Sequence, residues 1–170
     1  MLIERLKELI YELDCIKYGR FPLASGGVSN YKIISDSLFE NSEAREILSR
    51  IGYKLLQKIE SEKTYELVGV ITGGYEFAKL LAEKSGREVI GVNPHNGEIN
   101  GNLINENICY FEDVVTKGGS ILKCRNIIGK NGKDGYAVAI VDRQEGAKEN
   151  LRENGIELRS ILAKTDLEIR

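Results

Sequence analysis

The sequence has no tryptophan, one histidine and two prolines among its 170 residues. No apolar stretch approaches the ~20 residues that a membrane-crossing helix needs. The first residues carry charges too regularly for a secretory leader. No block of like charge stands out, and the net charge is -2. Nothing electrostatic therefore argues for binding nucleic acid or an anionic membrane. Cys15, Cys109 and Cys124 form an odd set without metal-ligand spacing. They read as reduced thiols of a cytoplasmic protein, with Cys109 inside a strand. There is no internal repeat and no low-complexity tract. Neither a Gly-x-x-x-x-Gly-Lys-Ser/Thr loop nor a Gly-x-Gly-x-x-Gly turn is present, which argues against an NTPase or a dinucleotide enzyme.

What is present is a globular composition, 42% hydrophobic and 29% charged, on a chain long enough for a real core. Residues 1–14 carry Leu2, Ile3, Leu6, Leu9, Ile10 and Leu13 at helical spacing. This amphipathic helix needs a partner surface, as a cap on the domain or in a dimer contact. Gly and Pro then punctuate two short extended pieces between Tyr18 and Ile34, which predicts a hairpin-like excursion. A second helix is expected from Ser42, as N-cap, to about Glu60. Short apolar runs then alternate with helices. Leu67–Ile71, Glu88–Val92, Tyr136–Val141 and Ile156–Leu162 read as strands, and Glu76–Ser85, closed by Gly86, as a helix. Residues 93–105 read as a long exposed loop, and such loops are often functional. Alternation of this kind implies an α/β fold with a mostly parallel sheet covered on both faces.

The stretch from Ile108 to Ser120 organises the rest. An apolar run places Glu112 and Asp113 side by side, then continues through Val114, Val115, Thr116, Lys117, Gly118 and Gly119 to Ser120. The run reads as a buried strand. Acids at the carboxyl end of such a strand lie where open α/β sheets bind ligands. The glycine turn leaves backbone N–H groups free at a helix start, where a phosphate can settle. Two acids beside a phosphate make sense when they face sugar hydroxyls or a divalent metal.

This stretch closely resembles the phosphoribosyl-pyrophosphate (PRPP) motif of type I phosphoribosyltransferases, in the Glu-Asp-Val-Val-Thr-x-Gly-Gly-Ser form met in orotate phosphoribosyltransferases. Lys17–Gly26 resembles that family's N-terminal segment. Thr72-Gly73-Gly74 resembles its pyrophosphate loop, and Val141–Gly146 the stretch around its orotate-contacting arginine. The resemblance implies a type I phosphoribosyltransferase-like α/β fold. It would be a single domain over 1–170, with an N-terminal helix and hood over about 1–40 and a core sheet over about 64–165. It implies transfer of phosphoribosyl from PRPP to orotate, giving orotidine 5′-monophosphate and pyrophosphate, with Mg²⁺, by a cytoplasmic homodimer. The implied PRPP-binding residues are Thr72, Gly73, Gly74 and the run from Glu112 to Ser120. Those implied for the base are Thr116, Arg143, Ser25 and Lys32. Glu112, Asp113 and His95 are the implied catalytic residues. Mg²⁺ would sit mostly on pyrophosphate, ribose hydroxyls and water, without direct protein ligands.

The loop after the second strand departs from the family's pattern. Where the family has Arg-Lys-x-x-Lys-x-His-Gly, this chain has Asn93-Pro94-His95-Asn96-Gly97-Glu98, with no Arg or Lys. Removing one donor that stabilises charge in a transition state commonly costs about 10²–10³ in rate. Ala24, Gly27 and Val28 also replace residues of the acceptor side. Orotate transfer therefore stands beside two alternatives, a nucleotide- or PRPP-binding homologue without turnover and a transferase for another base.

Overall fold

The computed structural model describes residues 1–23, 27–129 and 135–169. Ser25, expected at the base, lies outside the described residues. The chain opens with helix α1 (Leu2–Glu12) and an antiparallel hairpin of β1 (Ile16–Pro22) and β2 (Val28–Ile33). A five-residue helix α2 (Asp36–Glu40) and the long α3 (Ser42–Ile59) follow. Then come β3 (Glu66–Val70), α4 (Gly73–Ser85), β4 (Val89–Val92), β5 (Ile99–Asn100), β6 (Ile108–Val115) and α5 (Gly119–Ile128). The described chain ends with β7 (Gly135–Asp142), α6 (Ala147–Glu153), β8 (Ile156–Ala163) and a 3-10 turn over Lys164–Leu167.

Strands β3 to β8 form one sheet in the order β5-β4-β3-β6-β7-β8, parallel except for β5. Its central strands are apolar nearly throughout, as strands covered on both faces must be. On one face Phe111, Val138 and Ile140 pack with residues of α1, α3 and α4, including Leu6, Leu56 and Phe77. On the other, Tyr110, Ala137 and Ala139 pack with Ile121 and Cys124 of α5 and Leu151 of α6. From β3 the chain steps outward to β4, then returns to the far side of β3 for β6 and continues to β7 and β8. The strand order therefore reverses between β3 and β6. Ligands of open α/β sheets bind outside the carboxyl ends of strands at such a reversal.

The structure sharpens three expectations. The apolar stripe of α1 faces its own chain: Leu6, Leu9 and Ile10 are buried, and Ile3 and Tyr11 stay exposed. Of the two roles expected for this stripe, it takes that of a cap on the domain. The N-cap of α3 is Asn41, whose side chain accepts from the Ala44 N–H at 2.9 Å, and not Ser42. The loop at 93–105 contains a turn: Asn93 N–H donates to the Glu98 carbonyl and Gly97 N–H to the Asn93 carbonyl, and β5 pairs with β4.

Candidate active site

The acid pair stands at the carboxyl end of β6, beside the reversal. Glu112 is buried and Asp113 half-buried. Burial first, then the neighbouring Asp113 charge and its hydrogen bond, push the Glu112 carboxyl well above the usual carboxylate range. Ser35, from the start of α2, donates its hydroxyl to Asp113 Oδ2.

Helix α4 begins at Gly73, earlier than the Glu76 expected. Close approach explains the two glycines. A Cβ on Gly73 would stand 2.3 Å from the Asp113 carboxylate, and one on Gly74 2.1 Å from the Phe111 carbonyl oxygen. The backbone after β3 thus lies directly against the end of β6, and only glycine fits there. Thr72 is exposed at the mouth of this junction.

The turn after β6 is held from α6. Asn150 donates to the Lys117 carbonyl at 2.6 Å, and Gly118, at φ +76°, faces Leu151 closely enough that a Cβ would meet it at 2.8 Å. Lys117, Gly119 and Ser120 are exposed, Val114 and Thr116 half-buried and Val115 buried. No side chain caps the start of α5, so its first N–H groups face outward without an internal partner from a capping residue.

Arg143 follows β7 and is buried. Its backbone N–H donates to the Val115 carbonyl at 2.9 Å, which ties it to the end of β6. The next residue, Gln144, turns left-handed at φ +57°, and its N–H donates to Asp142 Oδ1 at 2.8 Å. The Arg143 guanidinium donates to Tyr31 Oη at 3.0 Å and Ser29 Oγ at 2.9 Å and pairs with Glu145 at 2.8 Å. Its anionic partner is therefore Glu145, not the adjacent Asp142.

The structure brings Glu112, Asp113, Gly73, Gly74, the 116–120 turn and Arg143 to one end of the sheet. Two expected residues face solvent. Lys32 is on the exposed face of β2, opposite Ser29, Tyr31 and Ile33, which alternate inward. His95 is exposed at the tip of the 93–98 turn, where its N–H donates to Asn93 Oδ1 at 2.9 Å. Ser29, Tyr31, Ser35 and Glu145 were not anticipated. The inward alternation of β2 is the one sequence signal that points to Ser29 and Tyr31. A groove of about 880 Å³ lies elsewhere, between α6 and the strands β7 and β8, and none of residues 112–120 lines it. Among the described residues no cluster of three or more His, Cys, Asp or Glu is placed to hold a metal ion.

The chain matches no family model. It is 30% identical to the orotate phosphoribosyltransferase of Pyrococcus abyssi, over 96% of this chain and 94% of that protein. It is 34% identical to that of Picrophilus torridus, over 95% and 99%. The chain belongs to the orotate phosphoribosyltransferase family. The crystal structure of orotate phosphoribosyltransferase from Aeropyrum pernix superposes with a TM-score of 0.80 at 26% identity, over 95% of this chain and 96% of that one. The family's fold accounts for the strand reversal, and the acid pair and glycine turn occupy its carboxyl edge.

Proposed function

We propose that the chain transfers a phosphoribosyl group from PRPP to orotate, giving orotidine 5′-monophosphate and pyrophosphate in pyrimidine nucleotide synthesis. The observation that carries this reading is the placement of Glu112 and Asp113 between a glycine-built strand-to-helix junction and an uncapped helix start, in a chain of this family. In such a transfer the bond from ribose C1 to pyrophosphate breaks and the sugar gains positive charge. Asp113 accepts from the ribose hydroxyls and favours that charge, and Glu112, whose carboxyl holds its proton in the free chain, adds to it where it ionises. The N–H groups at the start of α5, with the Thr116 and Ser120 hydroxyls, take the 5′-phosphate. Thr72, Gly73 and Gly74 lie along the departing pyrophosphate, and Arg143 takes the orotate carboxylate.

Mg²⁺ fits this donor set. Asp113 is a half-buried carboxylate at the ligand edge, and hard oxygen donors suit the ion through water. When bound, it neutralises charge on the pyrophosphate. The 1–170 span acts as one unit, the hood over about 1–40 covering the acceptor side of the core at about 64–165. A homodimer and a cytoplasmic location go with this reading. Burial pushes the Cys15 thiol up to about 11 and the Cys124 thiol up to about 12, which keeps both as unreactive thiols.

A second reading is PRPP binding without turnover. It is favoured by the exposed 93–98 turn, which carries no cation. Mixing protein, Mg²⁺, PRPP and orotate and following orotate absorbance separates the two. Turnover that disappears with Asp113→Asn supports transfer. No turnover at high protein concentration, with PRPP binding in a calorimeter, supports the second reading. Light scattering after size exclusion tests the dimer, and a monomer at assay concentration would remove it.

A further inference from the structure

The Arg143 guanidinium is 6% exposed and fully engaged along one edge before any ligand arrives. Nε donates to Tyr31 Oη at 3.0 Å, and Nη2 donates to Ser29 Oγ at 2.9 Å and pairs with Glu145 Oε1 at 2.8 Å. Its Cζ lies 4.2 Å from the centroid of the Tyr31 ring, within cation–π range. The Ser29 hydroxyl donates in turn to the Tyr31 carbonyl at 2.7 Å. That commits the Ser29 proton away from Arg143 and leaves an oxygen lone pair facing it. The holder therefore has a fixed polarity: Ser29, Tyr31 and Glu145 all accept from Arg143. The backbone end of the same side chain is fixed by the bond to the Val115 carbonyl and by the left-handed turn at Gln144.

A long arginine side chain loses much rotamer freedom when it is ordered. If that ordering is complete in the free chain, none of it is charged against ligand binding. Two of the three holding groups come from β2, so this side chain links the hood hairpin to the end of β7.

We propose that Ser29, Tyr31 and Glu145 are positioning residues that fix the Arg143 fork for the acceptor base. The inference rests on the proposed role of Arg143 toward an anionic base. Glu145 is the only charged member and balances the guanidinium while the acceptor site is empty. Tyr31 and Ser29 set the plane of the fork.

Steady-state kinetics of Glu145→Gln and Tyr31→Phe, with orotate and PRPP varied in turn, test this. Loss of the opposing charge at Glu145, or of the accepting hydroxyl at Tyr31, should raise KM for orotate about tenfold in each variant and leave KM for PRPP unchanged. Circular dichroism and thermal melts establish that each variant folds, and Ser29→Ala serves if one does not. The Arg143 Nε–H resonance, assigned with Arg143→Lys, should be sharp and slow to exchange in the wild type and lost in Tyr31→Phe, which removes its acceptor. Equal rises in both KM values would mark a general structural role and overturn the proposal, as would no change in either. Wild-type turnover of orotate together with unchanged KM in the variants overturns the holder and leaves the acceptor reading standing. Absence of wild-type turnover removes the acceptor reading and the holder with it.

Discussion

Ser35 donates its hydroxyl to the carboxylate of Asp113, 78 positions further along the chain. The contact joins the start of α2, just past the hairpin, to the acid pair. Ser35 is itself buried, so water cannot replace it without rearrangement. A hydrogen bond to a carboxylate contributes about 1.5–3 kcal/mol. Ser35→Ala should lower stability by about that amount, read as a lower urea midpoint at an unchanged slope. An unchanged midpoint would mean that the hydroxyl only fills space.

Glu112 gives the protein a pH signature. Its carboxyl is raised in the folded chain, chiefly by burial and then by Asp113. The folded state therefore holds the Glu112 proton more tightly than the unfolded chain does. This contribution is complete below the ordinary carboxylate range and is lost as pH rises toward the raised folded value. Between those limits one such group changes stability by up to about 1.4 kcal/mol per pH unit. Glu112→Gln, which cannot ionise, should remove that slope. The variant should gain stability relative to wild type as pH rises from 5 to 8, in urea melts at each pH. A variant that tracks the wild type across that range would show that Glu112 titrates as an ordinary surface acid.

Much of this site can be read from the sequence because it rests on local signals. The apolar run into Glu112-Asp113, the glycine turn and the Gly86 stop are each contained in a few consecutive residues, and the structure places β6, α5 and the end of α4 accordingly. What escaped has a different physical origin. Helix α2 is five residues long, too short to show a period. The α4 start at Gly73 is set by packing against Phe111 and Asp113 from another strand. Asn41 outcompetes Ser42 as the cap because its extended backbone, at ψ 123°, points its side chain at Ala44. Two partners of Arg143 lie 112 and 114 positions away, and although the alternation of β2 turns them inward, no local pattern pairs them with Arg143. Lys32 follows Tyr31 directly, and the two-residue period of a strand turns it to the opposite face.

Glycines near the site separate folding from binding. A Cβ at Gly74 would meet the Phe111 carbonyl oxygen at 2.1 Å, a contact with backbone that has no room to yield. Gly74→Ala should cost several kcal/mol, on the order of the larger core overpacking effects, and show as low soluble yield or a much lower melting temperature. Gly119 has open space around it and begins α5. Gly119→Ala should leave stability within about 1 kcal/mol of wild type, since alanine suits a helix better. The added methyl stands where the 5′-phosphate is proposed to lie. PRPP binding by calorimetry should therefore weaken about tenfold or more while the melt is unchanged. Unaltered PRPP affinity in Gly119→Ala would remove the phosphate from this turn.

The turn at 93–98 sets the remaining question, because it carries Glu98 and no cation where the family's pattern has Arg and Lys. Its shape depends on Asn93, which accepts from His95 N–H at 2.9 Å, and on Gly97 at φ +80°. Asn96 and Glu98 are exposed and bonded to each other at 2.8 Å; replacing both keeps those two anchors and gives up the Asn96 Oδ1 that accepts from the Glu98 N–H. Asn96→Lys with Glu98→Lys changes the local charge by three units: one from Asn96 and two from Glu98. A donor aimed at developing negative charge is commonly worth about 10²–10³ in rate when well placed. On a mobile exposed side chain a smaller gain is expected, about tenfold in kcat with orotate and PRPP. The rise should shrink in high salt, since the charges are solvent-facing. His95→Ala in the wild-type background should change kcat by less than about twofold if the exposed ring does no chemistry, and by about 10² if it donates to the leaving group. A double-lysine variant with unchanged kcat would place charge neutralisation away from this turn, and the search for the missing cations would move to the partner subunit of the proposed dimer.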